Sequence, residues 1–247
     1  MTDVSSKNIF IEEITSLKEL SSYFNYDDIK KLLKEKKIQI TNPTLKTYLH
    51  SFRKDKLIFD AGKGWYSSIE KQFELNKAPV KGIIKTINKK LPLLSFSCWS
   101  TEQLNSFTHH ILSKFITFVY TDSDYTRNTA EILNDAGYSA YENPTKAEIE
   151  KLFKLNEKTV ILRPSISKQP ENSDNCSSIE KILVDFLIEN RKFRIMESTE
   201  AEQAVKNAIN SGRLNISALF SYAKRRELVI PNTINQVRNN IKSEIVD

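Results

Sequence analysis

The sequence predicts an α+β chain, and three observations carry that prediction. Apolar residues recur at helical spacing through residues 9–54 and give way to a short hairpin. Helical and extended stretches then alternate to about residue 164. The remainder reads as helix alone. In "IFIEEITSLKELSSYF", Ile9, Phe10, Ile14, Leu17, Leu20 and Phe24 fall on one helical face. In "NYDDIKKLLKEKK", Asn25 is a cap, with acidic residues in the first turn and lysines in the last, as the helix dipole favours. A third helix starts with Asn42 as the expected cap and Pro43 at the first helical position, and buries Leu45, Tyr48, Leu49 and Phe52. "LIFD" and "GWYS" then flank Ala61–Gly62–Lys63, a hairpin with a glycine turn.

Beyond this point "VKGIIKTINKKL" is helical, "PLLSFSCW" a strand, "STEQLNSF" a short capped helix and "KFITFVYTD" a strong strand. "RNTAEILNDAG" is a helix stopped by Gly137, "YSAYENP" a short extended piece, "TKAEIEKLFKL" a helix and "KTVILRP" a strand. "SISKQPENSDNCSS" is polar and reads as a loop between domains. The tail offers "SSIEKILVDFLIENRKF", with Ile179, Ile182, Leu183, Phe186 and Leu187 on one face, and "ESTEAEQAVKNAINSG", which stops at Gly212. "NISALFSYAKRREL" follows, and a last helix opens at Asn232 or Thr233. Three domains are expected: a winged helix-turn-helix over 1–77, an α/β middle domain with a small sheet over 78–170, and a helical domain over 171–247.

The 39% hydrophobic content is that of a chain with a core, so disorder is excluded. No apolar run approaches the ~20 residues that span a bilayer. The start, "MTDVSSKNIFIEE", lacks a basic-then-apolar signal pattern. Cys98 and Cys176 stand far apart with no CxxC partner, which disfavours a disulfide framework and a thiolate zinc site. A cytoplasmic location is expected. Residues 26–66 hold ten Lys/Arg against five Asp/Glu, so +5 of the net +6 lies in about a sixth of the chain. Helix, helix, helix, hairpin with local basic excess is the order of a winged helix-turn-helix, whose third helix enters the DNA major groove. Thr44, Lys46, Thr47, His50 and Arg53 are the candidate base- and phosphate-facing residues; Lys54, Lys56 and Lys63 are the candidate backbone contacts.

Catalytic readings are weaker. Asp122 and Asp124 in "YTDSDY" follow a strand and would suit a divalent metal in a nucleotidyltransferase-type enzyme, the main alternative function. The Gly-Ser phosphate turn that such an enzyme places upstream is missing, and aspartates at such turns are more often caps. His109 and His110 are adjacent and diverge, so they do not chelate one metal alone. No P-loop, GxGxxG, GxSxG or HExxH pattern occurs. Neither cofactor nor metal is expected. A second alternative is an adaptor whose winged helix binds protein.

Three stretches carry a family resemblance. "PTLKTYLHSFRKDKLIFDAGKGWYS" resembles the N-terminal winged helix of the AbiEi-type antitoxins of type IV toxin–antitoxin (abortive infection) systems, bacterial transcriptional regulators. Their wing ends in an Arg-Gly-x-Tyr-like motif, here Lys63-Gly64-Trp65-Tyr66. "SFSCWSTEQLNSFTHHILSKFITFVYTD" is similar to the passage that opens the family's second domain. "SSIEKILVDFLIE" and "GRLNISALFSYAKRRE" are similar to its C-terminal helices. The resemblance spans about residues 9 to 228. It implies a non-enzymatic, DNA-binding antitoxin of phage defence that represses its own operon at inverted repeats in its promoter. It also implies a nucleotidyltransferase toxin encoded nearby, counteracted without a stable complex. Lysine for arginine at 63 keeps charge but loses bidentate geometry.

Overall fold

The computed structural model describes residues 9–16, 21–108, 115–145, 147–149 and 158–230. The expected pair His109 and His110, the expected last helix from Asn232 or Thr233, and Leu17 and Leu20 lie outside these residues. The fold is mixed α+β, with two small sheets and helices toward the C-terminus. The described chain forms two compact units. The first takes the chain up to Phe73 together with Ile209–Ser221; the second takes Glu74–Ala208 together with Tyr222–Val229.

In the first unit, residues 9–16 are helical (α1), and the chain continues as β1 (Tyr23–Asn25), α2 (Tyr26–Glu35), α3 (Asn42–Lys54), β2 (Phe59–Asp60) and β3 (Trp65–Ser67). The three strands form an antiparallel sheet in the order β1-β3-β2, with Tyr23 opposite Ser67 and Asp60 opposite Tyr66. Strand β1 corrects the sequence reading, which ran the first helix through Phe24. Extended backbone puts neighbouring side chains on opposite faces. Phe24 therefore enters the core with Phe10, Ile29 and Phe52. The Tyr23 ring goes the other way, and its hydroxyl lies 2.8 Å from the Ile209 carbonyl and 2.6 Å from that of Gly212. Helix α2 starts as expected, with a capping box in which the Asn25 side chain accepts from the Asp28 amide and Asp28 accepts in return.

The second unit is built on a four-stranded sheet, β4 (Phe96–Ser100), β5 (Ile116–Thr121), β6 (Ser139–Glu142) and β7 (Thr159–Pro164), in the order β4-β5-β7-β6. Only the β4–β5 pair is antiparallel. One face carries Cys98, Val119, Val160 and Leu162 and packs on α4 (Lys81–Lys90) and α5 (Thr126–Asp135) through Ile83, Ile87, Ala130 and Leu133. The expected inter-domain loop at 165–178 is instead paired to the sheet. The Cys98 amide donates to the Asn175 carbonyl at 2.8 Å, and the Ser177 amide donates to the Cys98 carbonyl at 2.9 Å. That pairing satisfies the edge of β4, which would otherwise leave buried backbone groups without partners. It also brings Cys176 opposite Cys98; both are buried, and burial pushes both thiols up, as suits inert residues.

The opposite sheet face is polar where it meets α6 (Ile179–Phe193). Register places Ser97, Tyr120 and Arg163 side by side across β4, β5 and β7. Arg163 clasps the Glu189 carboxylate through Nε at 3.2 Å and through its second terminal nitrogen at 2.8 Å. Lys181, fully buried, donates to Asp185 one turn on, and its Nζ sits 3.4 Å from the centre of the Tyr120 ring. Asp185 also accepts from the Tyr222 hydroxyl at 2.9 Å and from Arg226 at 3.3 Å. Helix α7 (Ser198–Ser211) precedes α8 (Ile216–Arg225), which carries Tyr222. Asp185 thus joins α6 to α8.

Burial raises the ionisation of Tyr120 and Tyr222 well above the ordinary tyrosine value of 10.0. A folded-state value above the unfolded one makes a contribution that is complete below pH 10 and is lost as pH rises further. Denaturation curves at increasing pH should therefore show stability falling from about pH 10 upward, by about 1.4 kcal/mol per pH unit for each tyrosine. Tyr222→Phe should flatten the slope by one tyrosine's share. An unchanged slope in that variant would show that Tyr222 ionises freely in the folded protein.

Candidate nucleic-acid interface

Helix α3 begins one residue earlier than its sequence suggests. Thr41, not Asn42, is the cap, and its hydroxyl accepts from the Thr44 amide at 3.3 Å, with Asn42 and Pro43 in the first turn. The buried stripe is the expected one, Leu45, Tyr48, Leu49 and Phe52. Helical geometry then turns Lys46, Thr47, His50, Arg53 and Lys54 outward, and all five are exposed. Arg53 and Lys54 occupy the last turn, where cations complement the carbonyl end of the helix.

The polar candidates differ in freedom. Thr44 is half-buried, and its hydroxyl is shared with that of Thr41 at 2.8 Å. The Thr47 hydroxyl donates back to the Pro43 carbonyl at 3.1 Å. A base contact by either therefore exchanges an existing bond for a new one. Arg53 leans toward Asp60 on β2, with 4.0 Å between the charged atoms, a loose surface pair worth little on its own. Lys56 takes a left-handed conformation (φ 57°) where the chain leaves α3, with its amide donating to the Arg53 carbonyl at 3.2 Å.

The turn between β2 and β3 is held on its inner side by the start of α8. The Ile216 amide donates to the Ala61 carbonyl at 2.8 Å, and the Lys63 amide donates to the Ser217 hydroxyl at 3.0 Å. Gly62, at φ 102°, is needed here twice over. Its backbone conformation is one that side chains resist, and a Cβ would stand 2.2 Å from the Asn215 side-chain oxygen. Trp65 packs on Phe220, with ring centres 5.5 Å apart. The Lys63 backbone is thus fixed while its side chain remains exposed. The sequence signals for this clamp were Gly62 and the Asn215–Ser217 pair, which lie far apart in the chain.

Residues 44–244 match a family described as a family of unknown function, DUF6577. The chain belongs to DUF6577. The DUF6577 span opens in the first turn of α3 and takes in the β2–β3 turn and the residues that clamp it, whereas α1, β1 and α2 precede it. No curated protein and no solved structure matches the chain.

Outside this surface, Asp122 turns its carboxylate on its own chain. Its Oδ1 accepts from the Asp124 amide at 3.1 Å and caps the short helical turn Ser123–Tyr125. Sequence reasoning passed over the second half of the local basic excess. Of the ten Lys/Arg in residues 26–66, Lys30, Lys31, Lys34, Lys36 and Lys37 belong to α2 and the turn after it. The i, i+4 spacing of Lys30 and Lys34 was the signal available.

Proposed function

We propose that the first unit is a winged helix-turn-helix that binds double-stranded DNA, and that the chain is a transcriptional regulator without catalytic activity. The observation that carries this reading is α3 itself. One face is fastened into the core by four large apolar residues; the other presents Lys46, Thr47, His50, Arg53 and Lys54 to solvent, close in the chain to an antiparallel β2–β3 turn bearing Lys63. The sheet order β1-β3-β2 supports the reading, since it supplies the third strand on which a wing is folded. In this assignment Thr47 and His50 read base edges, while Lys46, Arg53, Lys54, Lys56 and Lys63 hold phosphates. The sequence resemblance extends the proposal to an antitoxin of type IV, acting on its own promoter and opposing a nucleotidyltransferase toxin encoded nearby, with no direct complex required.

Affinity for a promoter duplex and for a scrambled duplex, measured against salt, tests the DNA reading. Five phosphate-facing cations give an expected log–log slope of about −4.5. Lys54→Ala should weaken both duplexes alike and reduce that slope by about one. Thr47→Ala or His50→Ala should cost about 1–3 kcal/mol on the promoter alone. A folded chain with no duplex affinity would leave α3 as a solvated or protein-binding face.

A further inference from the structure

The lysines at the end of α2 fall into two groups. Lys31 is paired with Glu35 at 3.6 Å and Lys36 with Glu13 at 3.7 Å. Lys30, Lys34 and Lys37 have no carboxylate within 4.0 Å among the described residues, and these three rim an open groove of about 700 Å³ between α2 and the start of α3. Its lining is mixed: Gln39, Thr41 and Asn42 are polar, Leu33 and Leu45 are almost fully buried, and the half-buried Ile38 and Ile40 offer the apolar surface. Its shape is fixed by backbone bonds: the Lys37 amide donates to the Lys34 carbonyl at 3.1 Å, and the Ile38 amide donates to that of Leu33 at 2.8 Å.

We infer that this groove docks an acidic amphipathic segment of a partner protein, with apolar side chains against Ile38 and Ile40 and Asp or Glu against the three lysines. The volume falls in the range of clefts that take ligands, about 300–1,000 Å³. Charge complementarity selects the partner's sign, since none of the three lysines has a carboxylate within 4.0 Å among the described residues, although Lys30 also sits over the Tyr26 ring. A DNA backbone would use the lysines and the polar side chains but has nothing apolar to set against Ile38 and Ile40. The docking site uses α2, the turn and the first residues of α3, and none of the residues assigned above to DNA.

A displayed library of random 12-residue peptides selected on the full chain supplies the probe. The expected outcome is enrichment of sequences combining two or more Leu, Ile or Phe with Asp or Glu. The corresponding synthetic peptide should lose affinity by about tenfold on the Lys30→Glu/Lys34→Glu variant. Melting curves of the Lys30→Glu/Lys34→Glu variant should stay close to the parent's, since both lysines are exposed, whereas Ile40→Ala should weaken the same peptide and also lower the midpoint, because Ile40 packs on the core. The proposal fails if no acidic apolar peptide is enriched, or if binding is indifferent to these substitutions. It also fails if Lys30→Glu/Lys34→Glu leaves the peptide bound and instead lowers duplex affinity for every sequence, which would make the groove a phosphate track.

Discussion

Asp185→Ala is expected to destabilise the protein by about 3–5 kcal/mol, because it strips the fully buried Lys181 ammonium of the carboxylate it is bonded to. The same change removes the acceptor of the Tyr222 hydroxyl and of Arg226. Burial already pulls the Lys181 ionisation down, so the orphaned amine has little to keep it charged. Lys181→Met should cost less than Asp185→Ala. It takes the cation out along with its desolvation, and Asp185 keeps Tyr222 and Arg226. Urea titration is the measurement, with midpoint shifts compared at constant slope. If Asp185→Ala stayed within about 1 kcal/mol of the parent, the carboxylate would not be what holds these charges in place.

Leu49→Ala is the second large effect, expected at about 2–5 kcal/mol from the cavity left beneath α3. Leu49 is 2% exposed and lies in the core with Phe10, Phe24 and Phe52. The loss should appear as a lower melting midpoint, by about ten degrees or more, and duplex affinity should fall with the folded fraction. Lys54→Ala on the same helix should leave the melt almost unmoved and change only the affinity. Parallel melts and binding curves for the two variants separate a helix that supports a surface from side chains that form it. Equal melts would mean that the apolar stripe does not anchor α3.

The parts legible in the sequence are those whose signals are local and periodic. The stripe Leu45–Tyr48–Leu49–Phe52, the Asn25 capping box and the strong strand Ile116–Thr121 need only neighbours a turn or a residue away. Strand β1 was missed because three residues are too few to show a period of two, and Phe24 also fits the helical spacing that precedes it. The segment at 172–177 was read as a linker because backbone pairing with β4 leaves no mark in polar side chains. Lys181, Asp185 and Glu189 look like a solvated helix face; only the register that sets Tyr120 beside Arg163 shows that a sheet covers them. At the candidate interface the outward residues followed from the stripe. The bonds already made by Thr44 and Thr47, and the helix that braces Lys63, did not.

The first unit draws on stretches that lie far apart along the gene. Tyr23 and Gly62 need partners among residues 209–217, and the stretch 74–208 is made in between. At ribosomal speed that interval is on the order of ten seconds. For that long the emerging N-terminal residues hold a sheet with an unanswered tyrosine hydroxyl and an unbraced turn. A message cut short anywhere before codon 209 therefore yields a protein whose α3 is present but whose β2–β3 turn has no brace. The unit with the candidate DNA-reading helix gains its brace only once residues 209–217 have been translated.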